Sequence, residues 1–309
     1  MELIRGLHNL RDRHRGCVLS IGTFDGIHRG HQALIGLGQR HAQRLGLPLL
    51  LLTFEPTARE FFDADGAPRR INVLRDKVGM LEQCGVDYLL IARFDQAMAD
   101  MSARAFIEDL LIGRLGMRGI VVGDDAHFGK MRSGDIATLR AGAERLNYLV
   151  DGIDTLRAGH ARCSSSAIRA ALSQADLAAV AEMLGRPYRI SGRVRRGLRL
   201  GRKLGMRTAN IHLRKPLAIR DGVYAVRAHC QGQRWDGVAN IGRRPSVAAS
   251  NYVLETHVFG DPGDLYGALL QVEFCRFLRP EAQFDSLDAL SAQMQRDAEH
   301  ARSLLSATS

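Results

Sequence analysis

Over residues 17–155 apolar runs of strand length alternate with stretches of helical periodicity. CVLSIG (17–22), LPLLLLTF (47–54), VDYLLIARF (86–94) and GIVVGDD (119–125) read as strands. HQALIGLGQRHAQRLG (31–46), RDKVGMLEQCG (75–85) and SARAFIEDLLIGRLG (102–116) read as helices between them. Such alternation predicts an α/β domain with a mostly parallel sheet. The strands are nearly continuous apolar runs, as expected when helices cover both faces of the sheet.

The texture changes after SSSAIRAALSQADLAAVAEMLG (164–185). From Arg189 to about Phe277, glycine-rich turns separate short alternating runs: YRISGRV, GVYAVRAHC, RWDGVANIG, NYVLETHVFG and LLQVEFCRFL. This predicts a small antiparallel barrel or sandwich. The segment after Ser286 returns to helical periodicity and is expected to pack on the barrel as a terminal helix. The expected domains are 1–185 and 186–309, with the boundary near Arg186–Pro187.

Composition narrows the picture. A chain of 309 residues with 46% hydrophobic side chains can bury more than one core. No run approaches the ~20 apolar residues needed to span a bilayer, and the N-terminal residues lack the apolar core of a secretory signal. Cys17, Cys84, Cys163, Cys230 and Cys275 are scattered, with no CxxC spacing, and read as reduced thiols of a cytoplasmic protein. The formal charge is +10, and all basic residues but Lys77, Lys130, Lys203 and Lys215 are arginine. With aromatics at 6% and no RNA- or DNA-binding signature, this charge reads as a dispersed arginine bias that also suits polyphosphate substrates, with no nucleic-acid partner expected.

The sharpest local feature is GTFDGIHRGH (22–31), between a predicted strand and a predicted helix. Gly22 and Gly26 let the backbone approach a phosphate, and the helix start offers unpaired N–H groups and a positive dipole end. His28 and His31, three apart, can lie on one side of that start. They supply donors around an α-phosphate as charge moves toward a leaving pyrophosphate. The bland alternative is incidental histidines among ordinary turn glycines. Further on, Ser164, Ser165 and Ser166 gather hydroxyls and N–H groups at another helix start, and Arg169 adds a planar cation suited to phosphate. A plain serine cap with a surface arginine reads equally well from these residues alone.

GRVRRGLRLGRKLGMRTANI (192–211) combines closely spaced glycines with basic residues, without the Walker A pattern. Its backbone N–H groups could wrap phosphates, Gly201 and Gly205 among them. Thr208 and Asn210, two apart on an extended segment, offer uncharged oxygens on one side, which suits a Mg²⁺ that also binds ATP phosphates. Taken alone, the stretch is an ordinary basic hairpin.

GTFDGIHRGH, TFEP (53–56), VGDDAHFGKMRSGD (122–135) and SSSAIR (164–169), in this order, resemble the HxGH nucleotidyltransferases, and specifically the bacterial bifunctional riboflavin kinase/FAD synthetases. GRPYRISGRV, the glycine loop, TAN, GVYAV, GVANIGRRPS, LETHVF, DLYG and FLRPEAQFDSLDALSAQMQRD resemble the riboflavin kinase module of the same family. The resemblance implies a Rossmann-like nucleotidyltransferase domain followed by a small β-barrel kinase domain with a C-terminal helix. It implies that riboflavin is phosphorylated to FMN and FMN adenylylated to FAD, with ATP and Mg²⁺. It implies that Gly22 to His31, Phe24 and Asp25 included, bind ATP, that the segment around Asp124 and Phe128 forms part of the nucleotide and flavin pocket, and that Ser164–Arg169 contacts the triphosphate. In the barrel it implies that Thr208 and Asn210 bind Mg-ATP and that Glu255 is the base taking the ribityl proton. The chain departs from the pattern at Thr57-Ala58, where His-Pro is common, at Asp125-Ala126, where Asp-Phe is common, and at Met206-Arg207, where an apolar residue and proline are typical. Arg207 is expected to lend a cation to the nucleotide there. The competing expectations are a member with one degenerate site and a nucleotidyltransferase for another phosphorylated substrate.

Overall fold

The computed structural model describes residues 1–154, 157–158, 161–195, 206–243 and 252–307. The chain forms two compact units, one of Met1–Pro68 with Lys77–Ser164 and one of Arg69–Asp76 with Ser165–Ser309.

The first unit is built on a sheet of β1 (Glu2–Arg5), β2 (Cys17–Ile21), β3 (Leu49–Glu55), β4 (Tyr88–Arg93), β5 (Met117–Gly123) and β6 (Leu149–Ile153). Their order is β1-β4-β3-β2-β5-β6 and every pairing is parallel. Leu49 to Leu52, Leu89 and Leu90 are fully buried, as their unbroken apolar runs require. Helix α1 (Arg29–Leu45) follows β2, and Gly46 closes it in the left-handed conformation at φ 64°. Helix α2 (Ala58–Phe62) follows β3, and α3 (Leu74–Gln83) precedes β4. Three short or irregular helical pieces come next: α4 (Gln96–Asp100), α5 (Ala103–Ala105) and the residues that continue α5.

The predicted helix 102–116 starts as α5 and widens into a π-helix over Phe106–Arg114, with Leu115 N–H reaching back five residues to Leu110 O at 3.1 Å. Phe106, Ile107, Leu110 and Leu111 are all buried there. Helix α6 (Ile136–Leu146) lies between β5 and β6. The sequence pattern gives no sign of β1 or β6. The first is four residues long, and the second, LVDGI, carries Asp151 and Gly152 in place of an apolar run. Both are edge strands. A two-stranded ribbon, β7 (Arg157–Ala158) and β8 (Ala161–Arg162), ends this unit.

In the second unit 164–185 forms two helices, α7 (Ser165–Ser173) and α8 (Leu177–Leu184), broken at Ala175 with φ 57°. A closed antiparallel barrel follows, from β9 (Arg189–Arg195), β10 (Ala209–Leu213), β11 (Gly222–Cys230), β12 (Gln233–Arg243), β13 (Tyr252–Val258) and β14 (Leu269–Arg279), in the order β10-β13-β12-β11-β14-β9. β9 and β10 pair to close it, and closure leaves no free edge. A side chain at Gly192 would strike Ile211, so glycine permits the close approach of those two strands. The predicted terminal helix is α9 (Leu287–Ser306), capped by the Ser286 hydroxyl accepting from Ala289 N–H. Its Ala301 and Leu305 pack on Val223, Ala225 and Val238 of the barrel wall.

Candidate active sites

In the first unit the strand order reverses between β2 and β5, which pair side by side: the chain runs outward from β2 through β3 to β4 on one side and from β5 to β6 on the other. Open parallel sheets bind ligands in the crevice at the carboxyl ends of such strands. Residues 22–28 leave β2 at that place and Asp124 follows β5 there. The 22–28 loop is tightly wound: Phe24 at φ 45° and Ile27 at φ 44° are left-handed non-glycine residues, and Gly26 lies at φ 89°. Both Phe24 and Ile27 are fully buried, which holds them there. Asp25 and His28 are buried as well.

His28 is the N-cap of α1, and its Nδ1 accepts from His31 N–H at 3.3 Å. In the neutral ring the proton then sits on Nε2, making that nitrogen a donor. The two imidazoles stack with centroids 3.8 Å apart, and the Phe24 ring lies 5.4 Å from that of His31. Gly30 has a steric reason: a Cβ there would sit 3.0 Å from His28 Nδ1. Burial, then the neighbouring His28 and Lys77, hold His31 well below its ordinary value of 6.5. Its Nδ1 is shielded and has no hydrogen-bond partner. His31 therefore presents a neutral ring rather than a ready cation.

Lys77 was not legible as a site residue. It is 3% exposed, and its Nζ donates to Thr23 O at 2.7 Å, bracing the 22–28 loop. Nothing in the amphipathic pattern of α3 marks one lysine as buried; a lysine on the apolar side of the helix is the only signal. Phe128 stacks on Phe106 at 5.3 Å and forms a backbone bridge with Gly134, where any side chain would strike the Phe128 ring. Asp124 and Asp125 are exposed, and Asp125 pairs with Arg162 at 3.4 Å. The departures are absorbed locally: Thr57 caps α2 in a reciprocal capping box with Glu60, and Ala126 packs on the core of this unit.

Of the serine-rich string, Ser164 lies in the first unit, while Ser165, Ser166 and Arg169 lie in the second. Arg169 donates through Nε to Arg69 O at 2.8 Å.

On the barrel, Asn210 of β10 sits directly opposite Glu255 of β13, and Glu255 opposite Asn240 of β12. Directly opposed residues share a face, so the three form one polar row. It is the outer face, because Val238, two residues before Asn240, packs against α9 while Ala239 and Ile241 between and beyond are buried inward. Asn210 is buried, and its Nδ2 donates to Thr208 O at 3.1 Å and Thr208 Oγ1 at 3.4 Å. This turns the amide nitrogen toward Thr208 and leaves Asn210 Oδ1 as the acceptor end. Thr208, Asn210 and Glu255 thus supply oxygens alone, a donor set that fits Mg²⁺ better than a softer ion. Among the described residues no group of three His, Cys, Asp or Glu could hold a metal by itself. Arg207 is exposed, and its carbonyl accepts from His257 Nδ1 at 2.8 Å, so that nitrogen carries the proton. Gly201 and Gly205 lie outside the described residues.

The FAD synthetase family model matches residues 10–167 and the Riboflavin kinase family model residues 184–305. The chain is 41% identical over 303 residues, 98% of each sequence, to a bifunctional riboflavin kinase/FMN adenylyltransferase of Haemophilus influenzae. It is 43% identical to the protein of the same description in Escherichia coli K12, over 100% of this chain and 99% of the other. A crystal structure described as a macrolide-efflux protein from Streptococcus pneumoniae superposes with a TM-score of 0.81 at 26% identity, covering 98% of this chain and 99% of that one. No helix among the described residues is long and apolar enough to cross a membrane.

Proposed function

Because this chain belongs to the family of bifunctional riboflavin kinase/FMN adenylyltransferases and carries both of its domains, we propose that it phosphorylates riboflavin to FMN and adenylylates FMN to FAD, both at the expense of ATP, in the cytoplasm. Residues 1–185 are assigned to adenylylation and 186–309 to the kinase.

In the first reaction an FMN phosphate oxygen bonds to the α-phosphorus of ATP and the bond to the β-phosphate oxygen breaks, releasing pyrophosphate. The loop from Gly22 through Phe24, Asp25 and Gly26 presents backbone to the nucleotide. His28 and His31 donate to the phosphates in the transition state. Asp124 and Phe128 border the nucleotide and flavin, and Ser164, Ser165, Ser166 and Arg169 bind the triphosphate. A phosphate beside His31 would favour its protonated form and so strengthen the contact as charge develops.

In the second reaction the ribityl 5′-hydroxyl attacks the γ-phosphorus, Glu255 accepts its proton, and ADP leaves. Thr208 and Asn210 would hold Mg²⁺ together with ATP phosphates, and the ion would neutralise part of their charge. Gly201, Gly205 and Arg207 complete the nucleotide contacts. The observation that carries the reading is the row Asn210–Glu255–Asn240, which sets a carboxylate between two amides on the wall beside the Thr208 backbone.

The test is product analysis by chromatography with riboflavin or FMN as the only flavin, plus ATP and Mg²⁺. The wild type is expected to form FMN from the first and FAD from both. His28→Ala and His31→Ala should lose FAD formation and keep FMN formation, and Glu255→Gln should do the reverse. Equal loss of both reactions in folded variants would overturn the two-site assignment.

A further inference from the structure

We infer that Asn240 binds a hydroxyl of the sugar-like chain of the kinase substrate, and that Glu281 is the positioning residue which sets the Asn240 amide for this task. The inference rests on the kinase reading of the barrel.

Asn240 Oδ1 is shielded from solvent and has no hydrogen-bond partner. Buried acceptors are nearly always satisfied, and one left open costs roughly 1–3 kcal/mol. This acceptor belongs to the residue directly opposite Glu255, the proposed base. Cross-strand neighbours on one face have Cβ atoms about 5 Å apart, so whatever reaches Glu255 passes Asn240. A bare apolar group could not satisfy Oδ1, and a phosphate offers it no proton. A hydroxyl can donate to it and accept from another group at once.

Glu281 decides which end of the amide is presented. Its Oε1 accepts from Asn240 Nδ2 at 2.9 Å. The carboxyl group lies against the backbone of Gly242, where any Cβ would overlap it. Gly242 therefore admits Glu281 to this position. An ionised carboxylate only accepts hydrogen bonds, so it draws the NH₂ end toward itself and leaves the carbonyl end as the free acceptor. A side chain at 281 with no acceptor oxygen, or none at all, would let the amide rotate and present a donor instead.

Two substrates carry suitable hydroxyls, the ribityl chain of riboflavin and the ribose of ATP. The position opposite Glu255 favours the ribityl chain, since its 5′-hydroxyl is the group that must lose a proton to that carboxylate. The experiment measures KM and kcat for riboflavin and for ATP separately in the full-length chain, for the wild type, Asn240→Ala, Glu281→Ala, Glu281→Gln and the double alanine variant. Asn240→Ala should raise the riboflavin KM about tenfold, the worth of one hydrogen bond to a buried group, with the ATP KM nearly unchanged. Glu281→Ala should move the same constant in the same direction by a smaller factor. Glu281→Gln, whose side-chain oxygen can still accept, should recover most of the loss.

The double variant should match Asn240→Ala alone, because Glu281 acts through Asn240. Independent, multiplying effects would show a merely structural role for Glu281 and overturn that part. A rise confined to the ATP KM would overturn the ribityl assignment, and unchanged constants for riboflavin would overturn the whole inference. If Asn240→Ala does not fold, Glu281→Ala, altering an exposed side chain, carries the test with its glutamine rescue. A wild type that forms no FMN would instead sink the kinase reading itself, and FAD formation from FMN in each variant reports that the chain is intact.

Discussion

Lys77→Met in α3 removes the cation that holds the 22–28 loop, the proposed nucleotide loop. Lys77 Nζ donates to Thr23 O at 2.7 Å, and the side chain is 3% exposed. A hydrogen bond from a charged donor contributes about 1.5–3 kcal/mol. The loop it braces contains Phe24 and Ile27 in the left-handed region, each costing on the order of 1–3 kcal/mol. Two such residues together cost about 2–6 kcal/mol, of which the bond offsets roughly half, so losing the bond lets the loop relax toward ordinary backbone angles. Methionine fills a similar volume without a buried charge, and Thr23 is exposed enough for water to replace the lost donor. The chain should therefore stay folded while the loop loses its shape.

If the loop geometry is needed in the transition state, the whole of that bond appears as lost rate, roughly tenfold to a hundredfold in kcat/KM for FAD formation. FMN formation in the same preparation should not change. The second readout is His31. Lys77 is one of the causes holding its pKa down, after burial and His28. Removing that charge should move the His31 titration upward, toward 6.5, in nitrogen-detected NMR of labelled histidine. Unchanged FAD formation together with an unmoved His31 titration would refute the bracing argument.

Arg207→Ala should raise the ATP KM of the kinase reaction by a few-fold without altering FAD formation, since His257 bonds the backbone carbonyl at 207 and would keep the strand in place. An unchanged ATP dependence would make Arg207 a substitution without a phosphate role. Asp297→Ala should lower the unfolding temperature of the barrel: Arg279 binds both Asp297 oxygens at 2.7–3.1 Å, joining β14 to α9. Stranding the half-buried arginine should cost about 3 kcal/mol, read by calorimetry; a loss under half of that would contradict it. Stability of the first unit should fall with acid below pH 6.5. His31 has a folded pKa far below 6.5, so between these values the unfolded chain binds the extra proton and unfolding is favoured as pH drops, by up to about 1.4 kcal/mol per pH unit. His31→Phe should flatten that slope in urea titrations at pH 5 to 7; an unaltered slope would assign it to other groups.

The order of elements was written in local pattern. Unbroken apolar runs gave β2 to β5, the helical periods gave α1, α3 and α9, and glycine-spaced alternation gave the barrel strands, because burial on one or two faces selects these periods directly. The strings carrying His28 and His31, Thr208 and Asn210, and Glu255 were also local, since a loop between strand and helix, or two positions on one strand, is a short-range arrangement. The edge strands β1 and β6 escaped because an edge needs no long apolar run, and the π-helical turn after α5 escaped because an apolar helical period does not tell i→i+5 bonding from i→i+4. What the tertiary structure alone decided is proximity between distant positions. It set Asn240 opposite Glu255, brought Glu281 to Gly242, and buried Lys77 against Thr23, 54 residues away in the chain. It also set the state of His31, because a lowered pKa depends on exclusion of water and on charges from other elements. Periodicity records which face of an element is dry; it does not record which residue of another element meets that face.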